Sequence, residues 1–114
     1  MVNKWEIYFC NLDPTKGCEQ RGTRPVLIIS TDSVNHNLAV STVLPLSSVK
    51  PTDKIYPTEV LLPTQVSGLP KLSVAMVQQI RTISHSRLQT LAGKITDSET
   101  QEKILLACRE YFDL

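Results

Sequence analysis

The sequence predicts a mainly β domain, built as a small barrel or strongly bent sheet and completed by one C-terminal helix. Short apolar segments alternate with turn residues over most of the chain, helical signals appear only late, and no segment is repeated. At 114 residues the chain is long enough to bury one core. We therefore expect a single domain over residues 1–114.

Two strands are predicted on either side of a turn-rich segment. Apolar and polar residues alternate over residues 5–10, the period of a half-buried strand. Residues 13–17, Asp-Pro-Thr-Lys-Gly, interrupt that pattern with turn-forming residues. Residues 26–29 are apolar at every position and rich in branched side chains, so we expect a central strand there.

Further strands are expected where short apolar runs recur. Pro45 lies inside the first of these runs and must occupy a place where the sheet needs no N–H donor. These strands are predicted at residues 39–46, 58–62 and 73–77. The polar segments between them are predicted to be loops or turns at residues 32–37, 50–54 and 68–70.

Helical patterns are confined to the last third of the chain. Residues 84–91 are expected to form a short helical turn, and Thr96 with Glu99 matches a capping box at the start of a longer helix. One apolar stripe follows at helical spacing, which predicts a helix docked on the sheet. The stripe consists of Ile104, Leu105, Cys108, Tyr111 and Phe112.

The composition excludes several classes of protein. No apolar run approaches the ~20 residues that span a bilayer, and Glu6 stands where a signal peptide would become apolar, so we expect a cytoplasmic protein that does not bind membranes. Three cysteines without C-x-x-C spacing argue against a disulfide framework and a zinc site. We expect Cys10 and Cys108 to be buried and Cys18 to lie in a loop.

Charge is unevenly distributed although the net charge is only +1. Residues 1–96 carry ten Lys and Arg against six Asp and Glu, whereas residues 97–114 carry two against five. A basic body of this kind can attract a phosphate backbone, because electrostatic attraction dominates affinity for nucleic acids.

Residues 17–25 place charged groups directly before the central strand. Two glycines and Pro25 restrict the backbone there, so Glu19, Arg21 and Arg24 would be presented from a defined loop. One acid and two guanidiniums close together suggest a site that acts on an anion. An ordinary hairpin loop with surface ion pairs is the alternative.

Two separated blocks of sequence carry a family resemblance. The first comprises residues 11–17, Asn-Leu-Asp-Pro-Thr-Lys-Gly, and residues 19–29, Glu-Gln-Arg-Gly-Thr-Arg-Pro-Val-Leu-Ile-Ile. The second comprises residues 79–83, Gln-Ile-Arg-Thr-Ile, with Ser-Arg-Leu at 86–88. Together they resemble the MazF/PemK (Kid) toxins. The resemblance implies an SH3-like barrel and a sequence-selective endoribonuclease of a toxin–antitoxin pair, independent of metals and cofactors.

The same resemblance implies the partners. The family pairs two barrels into a homodimer whose groove holds single-stranded RNA, and the tail of the cognate antitoxin should occupy that groove. The antitoxin would contact basic residues of the loops, and a DNA operator would be bound only through it. Those basic residues are Lys16, Arg21, Arg24 and Lys54.

A metal-independent cleavage of RNA would use the internal 2′-hydroxyl as nucleophile. The chain has no H-E-x-x-H motif, and its two histidines, His36 and His85, are expected to be surface or structural residues. The protein must then deprotonate the hydroxyl, stabilise a phosphorane and protonate the 5′-oxygen. Arg24 is the first catalytic candidate, since family members use the matching arginine; a structural salt bridge with Glu19 is the alternative.

Glu19 and Ser47 complete the predicted catalytic group. Glu19 is a candidate general base or an orienter of Arg24, with a plain surface carboxylate as the alternative. The family usually has threonine where Ser47 stands, and serine keeps the donor but lacks the methyl that restricts the rotamer. An acid often precedes Gln-x-Arg-Thr in the family, but this chain has Gln78, so a mechanism that uses that carboxylate cannot operate.

The second block is expected to contribute to RNA binding. Gln79 can read a base edge, and Arg81 can bind phosphate or brace the loop, the role that we favour. Trp5, Tyr8 and Phe9 are expected in the core rather than in an open base-stacking surface. The predicted RNA-binding residues are Lys16, Cys18, Gln20, Arg21, Ser48, Gln78, Gln79 and Arg81.

Two other functions are compatible with this fold. A CcdB-like toxin would act by binding gyrase, although residues 19–25 argue against it. A catalytically silent RNA-binding module is the third possibility, because Ser47 and Gln78 depart from the family pattern.

Overall fold

Seven β-strands and three α-helices form the chain in a computed structural model, which describes residues 1–114. Two short 3-10 helices, Val77–Gln79 and His85–Arg87, adjoin the sixth strand. The strands are β1 Glu6–Asn11, β2 Thr23–Ile28, β3 Val40–Ser48, β4 Glu59–Leu62, β5 Ser73–Met76, β6 Arg81–Ser84 and β7 Leu88–Lys94. The helices are α1 Asp32–Asn37, α2 Thr64–Ser67 and α3 Ser98–Phe112. The predicted mainly β fold with a C-terminal helix is confirmed.

Strand β3 connects the two halves of the sheet. The strand order is β4-β5-β3-β2-β1-β7, all pairs are antiparallel, and β6 pairs separately with β3. The first part of β3 pairs with β6, Val43 to Pro45 pair with β2, and Leu46 to Ser48 pair with β5. Pro45 therefore lies next to the point where β3 changes partners, the kind of place where a missing N–H is tolerated.

Two apolar cores lie on opposite faces of the central strands. The larger contains Leu27, Leu44 and Ile104 and is covered by α3, whereas the smaller contains Val26 and Ile28. Alternate residues of β2 thus enter different cores, as expected of a strand that is apolar on both faces. No helix has the length and apolar character needed to cross a membrane.

Helix α3 begins one residue later than the capping-box pattern indicates. Asp97, rather than Thr96, is the N-cap, because its carboxylate accepts hydrogen bonds from both the N–H and the hydroxyl of Thr100. These bonds, the hydroxyl contact first, lower the pKa of Asp97. The predicted apolar stripe was only partly correct: Ile104 is fully buried, whereas Phe112 is 50% exposed.

Two other segments differ from the prediction. Residues 32–37 form α1 instead of a loop, and its buried Asn35 is satisfied by polar partners: its Oδ1 accepts from the hydroxyls of Ser30 and Ser41. A helix held by a polar contact carries no apolar stripe in the sequence. Beyond one 3-10 turn, the helical turn expected at residues 84–91 is wrong, since pairing with β1 overrides local spacing and extends the chain into β7.

Strand β1 places its aromatic side chains unevenly. Its pairing with β7 shifts register twice, between Ile7 and Tyr8 and again between Tyr8 and Cys10. Such bulges redirect side chains. Trp5 and Tyr8 pack against the cores as predicted, but Phe9 is 36% exposed and the core position predicted for it is wrong.

Gly93 of β7 lies against the backbone of α2. A Cβ at this position would overlap the carbonyl oxygen of Ser67. The strand can therefore approach the helix this closely only with glycine at residue 93.

The burial of α3 generates a stability prediction. Ile104→Ala should reduce the free energy of unfolding by about 2–5 kcal/mol, because Ile104 is fully buried in the larger core and its truncation leaves a cavity. Glu102→Ala, on the same helix but at an exposed position, should change it by less than about 0.5 kcal/mol. Urea denaturation measures both, and equal losses would contradict this packing of α3.

Candidate active site

Arg24 and Ser47 lie where β2 and β3 separate. The last paired residues of these strands are Val26 and Pro45, after which β3 turns to pair with β5. Continuing the antiparallel register by two residues places Arg24 opposite Ser47. Both residues are half-buried. Ser47 itself pairs with Val74 of β5, and the neighbouring Ser48, rather than Ser47, lines the cleft that contains Arg24.

Arg24 lies in β2, which begins at Thr23, and not in the preceding loop as predicted, but that loop orients its side chain. Its Nε donates a hydrogen bond of 2.9 Å to the carbonyl oxygen of Arg21. Arg24 forms no ion pair, so the salt bridge with Glu19 that we considered is absent from this structure. Both terminal nitrogens remain without an intramolecular hydrogen bond, and they are the pair that can hold two oxygens of one phosphate.

Glu19 stabilises the same loop. One of its carboxylate oxygens accepts a hydrogen bond from the backbone N–H of Lys16. Glu19 is exposed and has no contact with Arg24 that would orient the guanidinium. The loop is closed at its base by a hydrogen bond from the N–H of Leu12 to the carbonyl of Gly22, and Gly22 adopts a positive φ of 78°.

Side chains of the second sequence block hold the backbone of the first. The amide of Gln79 accepts from the N–H of Gln20 at 3.2 Å and donates to the carbonyl of Cys18 at 3.0 Å. Arg81 donates to the carbonyl of Leu12 at 2.9 Å. Both side chains therefore hold the loop in place, although they lie 59 and 69 residues away from their partners Gln20 and Leu12 along the chain.

Arg87 adds two further contacts that the sequence analysis did not anticipate. Its guanidinium donates to the carbonyl of Asn11 at 3.1 Å and to that of Asp13 at 2.6 Å. Burial raises the pKa of the nearby Cys10 thiol, and the positive charges of Arg87 and Arg81 oppose that shift. The only sequence signal for this role was the position of Arg87 in the second block.

Gln78 points to different partners from Gln79. Its amide donates to the carboxylate of Glu59 at 2.9 Å and accepts from the hydroxyl of Thr58 at 2.9 Å. The resemblance leads us to expect an acid at position 78, where this chain has glutamine. The carboxylate of Glu59, at the start of β4, lies next to Gln78 instead. The sequence contained no signal for this contact, because about 20 residues separate the partners.

Most of the predicted site residues fall into two clefts. Glu19, Gln20, Gln78, Gln79 and Arg81 line a cleft of about 150 Å³, in which the buried Oε1 of Gln20 has no hydrogen-bond partner. Arg24 and Ser48 line a second cleft of about 230 Å³. The predicted residues Lys16, Cys18 and Arg21 are exposed on the loop, outside both clefts.

The histidines lie in structural contacts away from these clefts. His36 Nε2 is 2.8 Å from Asn3 Oδ1, and His85 Nε2 is 2.7 Å from the hydroxyl of the buried Ser41. No group of three or more His, Cys, Asp or Glu side chains is arranged to hold a metal ion. The titratable groups at the two clefts are therefore the carboxylate of Glu19, the guanidiniums of Arg24 and Arg81 and the ammonium group of Lys71.

Comparisons with known proteins agree on one family. Residues 3–112 match the model of the PemK-like, MazF-like toxins of type II toxin–antitoxin systems. The chain is 35% identical over 106 residues to endoribonuclease EndoA of Bacillus subtilis, an alignment that covers 91% of this chain and 88% of that one. The resemblance predicted from the two sequence blocks is confirmed.

Solved structures agree with the fold. Mycobacterium tuberculosis toxin MazF-mt6 superposes with a TM-score of 0.77 at 28% identity, covering 96% of this chain and 97% of that chain. An endoribonuclease solved in complex with its cognate antitoxin, from a mycobacterial species, superposes with a TM-score of 0.81 at 23% identity. That alignment covers 100% of this chain and 97% of the other. The predicted MazF-like architecture is therefore confirmed.

The contacts of Gln79 generate a prediction about the loop. Gln79→Leu keeps the approximate size of the side chain but removes both hydrogen bonds, so the Gln20 amide should exchange with solvent at least about fivefold faster, as expected for the loss of about 1 kcal/mol. Gln78→Leu is the matched control, since Gln78 does not contact the loop. Hydrogen exchange monitored by NMR measures both, and unchanged protection in Gln79→Leu would refute the bracing role.

Proposed function

The chain belongs to the PemK-like, MazF-like toxins of type II toxin–antitoxin systems, and from that membership we propose that it is an endoribonuclease that cleaves single-stranded RNA at selected sequences. The reaction needs no metal, because the 2′-hydroxyl of the substrate is the nucleophile. The observation that carries the proposal is the guanidinium of Arg24, whose terminal nitrogens form no intramolecular hydrogen bond and which lines a cleft without a carboxylate. Family membership and the similarity to endoribonuclease EndoA support the reaction class.

Arg24 stabilises the charge that develops on the phosphate. As the 2′-oxygen forms a bond to phosphorus, negative charge accumulates on the two nonbridging oxygens, and the bond to the 5′-oxygen then breaks. The hydrogen bond from Nε to the Arg21 carbonyl fixes the guanidinium before substrate arrives, so little reorganisation is needed. The Ser47 hydroxyl donates a further hydrogen bond to the phosphate.

Glu19 is the proposed general base. It accepts the proton of the 2′-hydroxyl, and a donor must supply a proton to the departing 5′-oxygen. One of its oxygens is bonded to the Lys16 amide, which leaves the other free to approach the hydroxyl. The loop that carries Glu19 also carries Arg21 and leads into Arg24, so bracing of this loop keeps base and phosphate-binding group in register.

The remaining loop residues bind the substrate. Gln20 is the proposed base-reading residue, because it lines the first cleft and its Oε1 has no hydrogen-bond partner; that oxygen is buried, so the side chain must turn outward to accept from an amino group of a base. Lys16, Cys18 and Arg21 contact the RNA backbone from the exposed side of the loop. Gln78 and Ser48 lie at the clefts as further contacts.

Gln79 and Arg81 act as positioning residues in this proposal. The amide of Gln79 is fully used by two loop contacts, and Arg81 donates to the Leu12 carbonyl. Their effect on RNA is exerted through the loop, which is a narrower role for Gln79 than the base reading that its residue type suggests.

The proposed mechanism predicts dependence on one substrate hydroxyl. A single deoxyribose on the 5′ side of the cut should abolish cleavage of an otherwise unchanged RNA, because the nucleophile is then missing. EDTA should have no effect, and the 5′ product should end in a 2′,3′-cyclic phosphate. Gel mapping and mass spectrometry of the products test all three. Cleavage of the deoxy substrate, or activity that appears only with a divalent metal, would mean that water or hydroxide attacks.

Two variants test the assignment of catalytic residues. Arg24→Ala should lower kcat/KM by at least ~100-fold, the scale seen when one preorganised donor is lost, and Ser47→Ala should lower it less. Circular dichroism should show that both remain folded. Nearly full activity in Arg24→Ala would contradict the proposal while leaving the family membership unaffected.

A cognate antitoxin is the proposed inhibitor. The mycobacterial endoribonuclease with the same fold was solved with its own antitoxin. In this chain an acidic or amphipathic segment of the antitoxin would meet the cations of the loops, Lys16, Arg21, Arg24 and Lys54, of which all but Arg24 are exposed. Such contacts weaken with salt, so inhibition should decline as ionic strength rises.

We also propose that the chain is a homodimer. Leu61 and Leu106 are 43% and 53% exposed beside each other at a groove between β4 and α3, apolar surface that association can bury. Sedimentation at micromolar concentration should give twice the 12.7 kDa mass of one chain. A species of monomer mass alone would contradict this proposal.

A further inference from the structure

The second cleft extends beyond the groups that the mechanism uses. Besides Arg24, the lining of this space of about 230 Å³ includes the apolar residues Phe9 and Leu69 and a second cation, Lys71. We propose that this cleft binds the base of the nucleotide next to the scissile phosphate, stacked on Phe9, while Lys71 binds the neighbouring phosphate. This inference rests on the proposed function.

Phe9 is placed for contact with a ligand. Phe9 lies within the second register shift of β1, 36% of the residue is exposed, and it lies opposite Pro25 in the pairing with β2. The neighbouring residue in that pairing is Arg24, opposite Cys10. An exposed aromatic ring next to a phosphate-binding group is the arrangement that proteins use to stack bases of single-stranded nucleic acids.

The size and lining of the cleft fit one base. Its volume is below the ~300–1,000 Å³ of sites for drug-sized ligands, so one ring system can enter and a larger ligand cannot be enclosed. Thr23 and Ser48 line it as well, and their hydroxyls can both donate to and accept from a base edge, whereas the hydroxyl of Ser73 already donates to the carbonyl of Lys71. No Asp or Glu lines it, which favours a polyanionic ligand.

Lys71 links this cleft to the next one along the surface. Together with Ser48 it also lines a depression of about 470 Å³ that reaches Lys50. Lys71 is exposed and forms no ion pair, so its ammonium group is available. Because Lys71 lines both depressions and Arg24 lines only the first, a strand whose base occupies the cleft beside Arg24 would continue past Lys71, and we assign the adjacent phosphate to Lys71.

Removal of single bases tests the stacking. The wild-type cut is first mapped on a long RNA, and a short substrate is then made with one abasic nucleotide at each position flanking the cut. One adjacent abasic position should lower kcat/KM of the wild type by about tenfold, the scale of one stacked base. In Phe9→Leu this penalty should shrink to about twofold or less, because the stacking surface is already lost. Penalties at the other positions should persist.

Salt dependence tests the phosphate contact separately. In Lys71→Gln the slope of log kcat/KM against log salt concentration should become shallower by about 0.7, the value for one phosphate contact on a single strand. Lys94→Gln is the matched control. In the ladder between β1 and β7, the backbone of Lys94 lies opposite that of Glu6, at the far end of β1. Phe112→Leu, at the end of α3, is the control for Phe9→Leu. Neither control should alter the abasic profile or the salt slope.

The outcomes distinguish this inference from the function on which it rests. A wild-type protein that cuts no RNA would refute the proposed function and the cleft assignment with it. A wild type that cuts RNA, while Phe9→Leu keeps the full abasic penalty or Lys71→Gln keeps the wild-type slope, would refute the cleft assignment alone. Thermal unfolding of each variant confirms that the fold is intact.

Discussion

The loop that leads into Arg24 has its shape because side chains from the far end of the chain bind its peptide groups. Gln79, Arg81 and Arg87 together contact five backbone groups between Asn11 and Gln20. Two of the three donors are charged, and hydrogen bonds from charged groups are the stronger kind. Without these side chains, the backbone groups of this surface loop would form hydrogen bonds with water instead. The geometry of the candidate active site is therefore a property of the whole fold, and the two sequence blocks that carry the family resemblance are two sides of one contact.

Strand β3 provides the second constraint, because it belongs to both halves of the sheet. Its partners change from β2 to β5 at Pro45 and Leu46, so the end of β2 is left without a neighbour on that side. Arg24 occupies that end. A continuous ladder would have buried the backbone of residue 24 between two strands, with no opening for a phosphate. The buried cores on either face of β2 hold the separation rigidly.

Local sequence patterns predicted those elements whose buried side chains form a recognisable apolar pattern in the sequence. The strand at residues 26–29 was recognised because every side chain is apolar, and both cores receive them. Helix α1 was missed because a buried asparagine, not an apolar stripe, attaches it. Leu88 and Leu91 have a spacing that fits a helix equally well, and only the presence of β1 extends them. Arg24 and Ser47 came from the resemblance, whereas Arg87 and Glu59 make contacts with residues distant in the sequence, which leave no local signal.

Gly93 shows how such a fold can mislead a functional survey. It pairs with Ile7, while Arg24 pairs with Cys10 three residues further along the same strand, so Gly93 does not adjoin the proposed phosphate-binding residue. Any side chain there must displace the carbonyl of Ser67 or shift β7, and β1 lies between β7 and β2. A mutational scan scored by growth inhibition would therefore rank Gly93 with the catalytic residues. A separate measurement of the amount of folded protein would show that such variants lose activity because a side chain at residue 93 overlaps the backbone of α2.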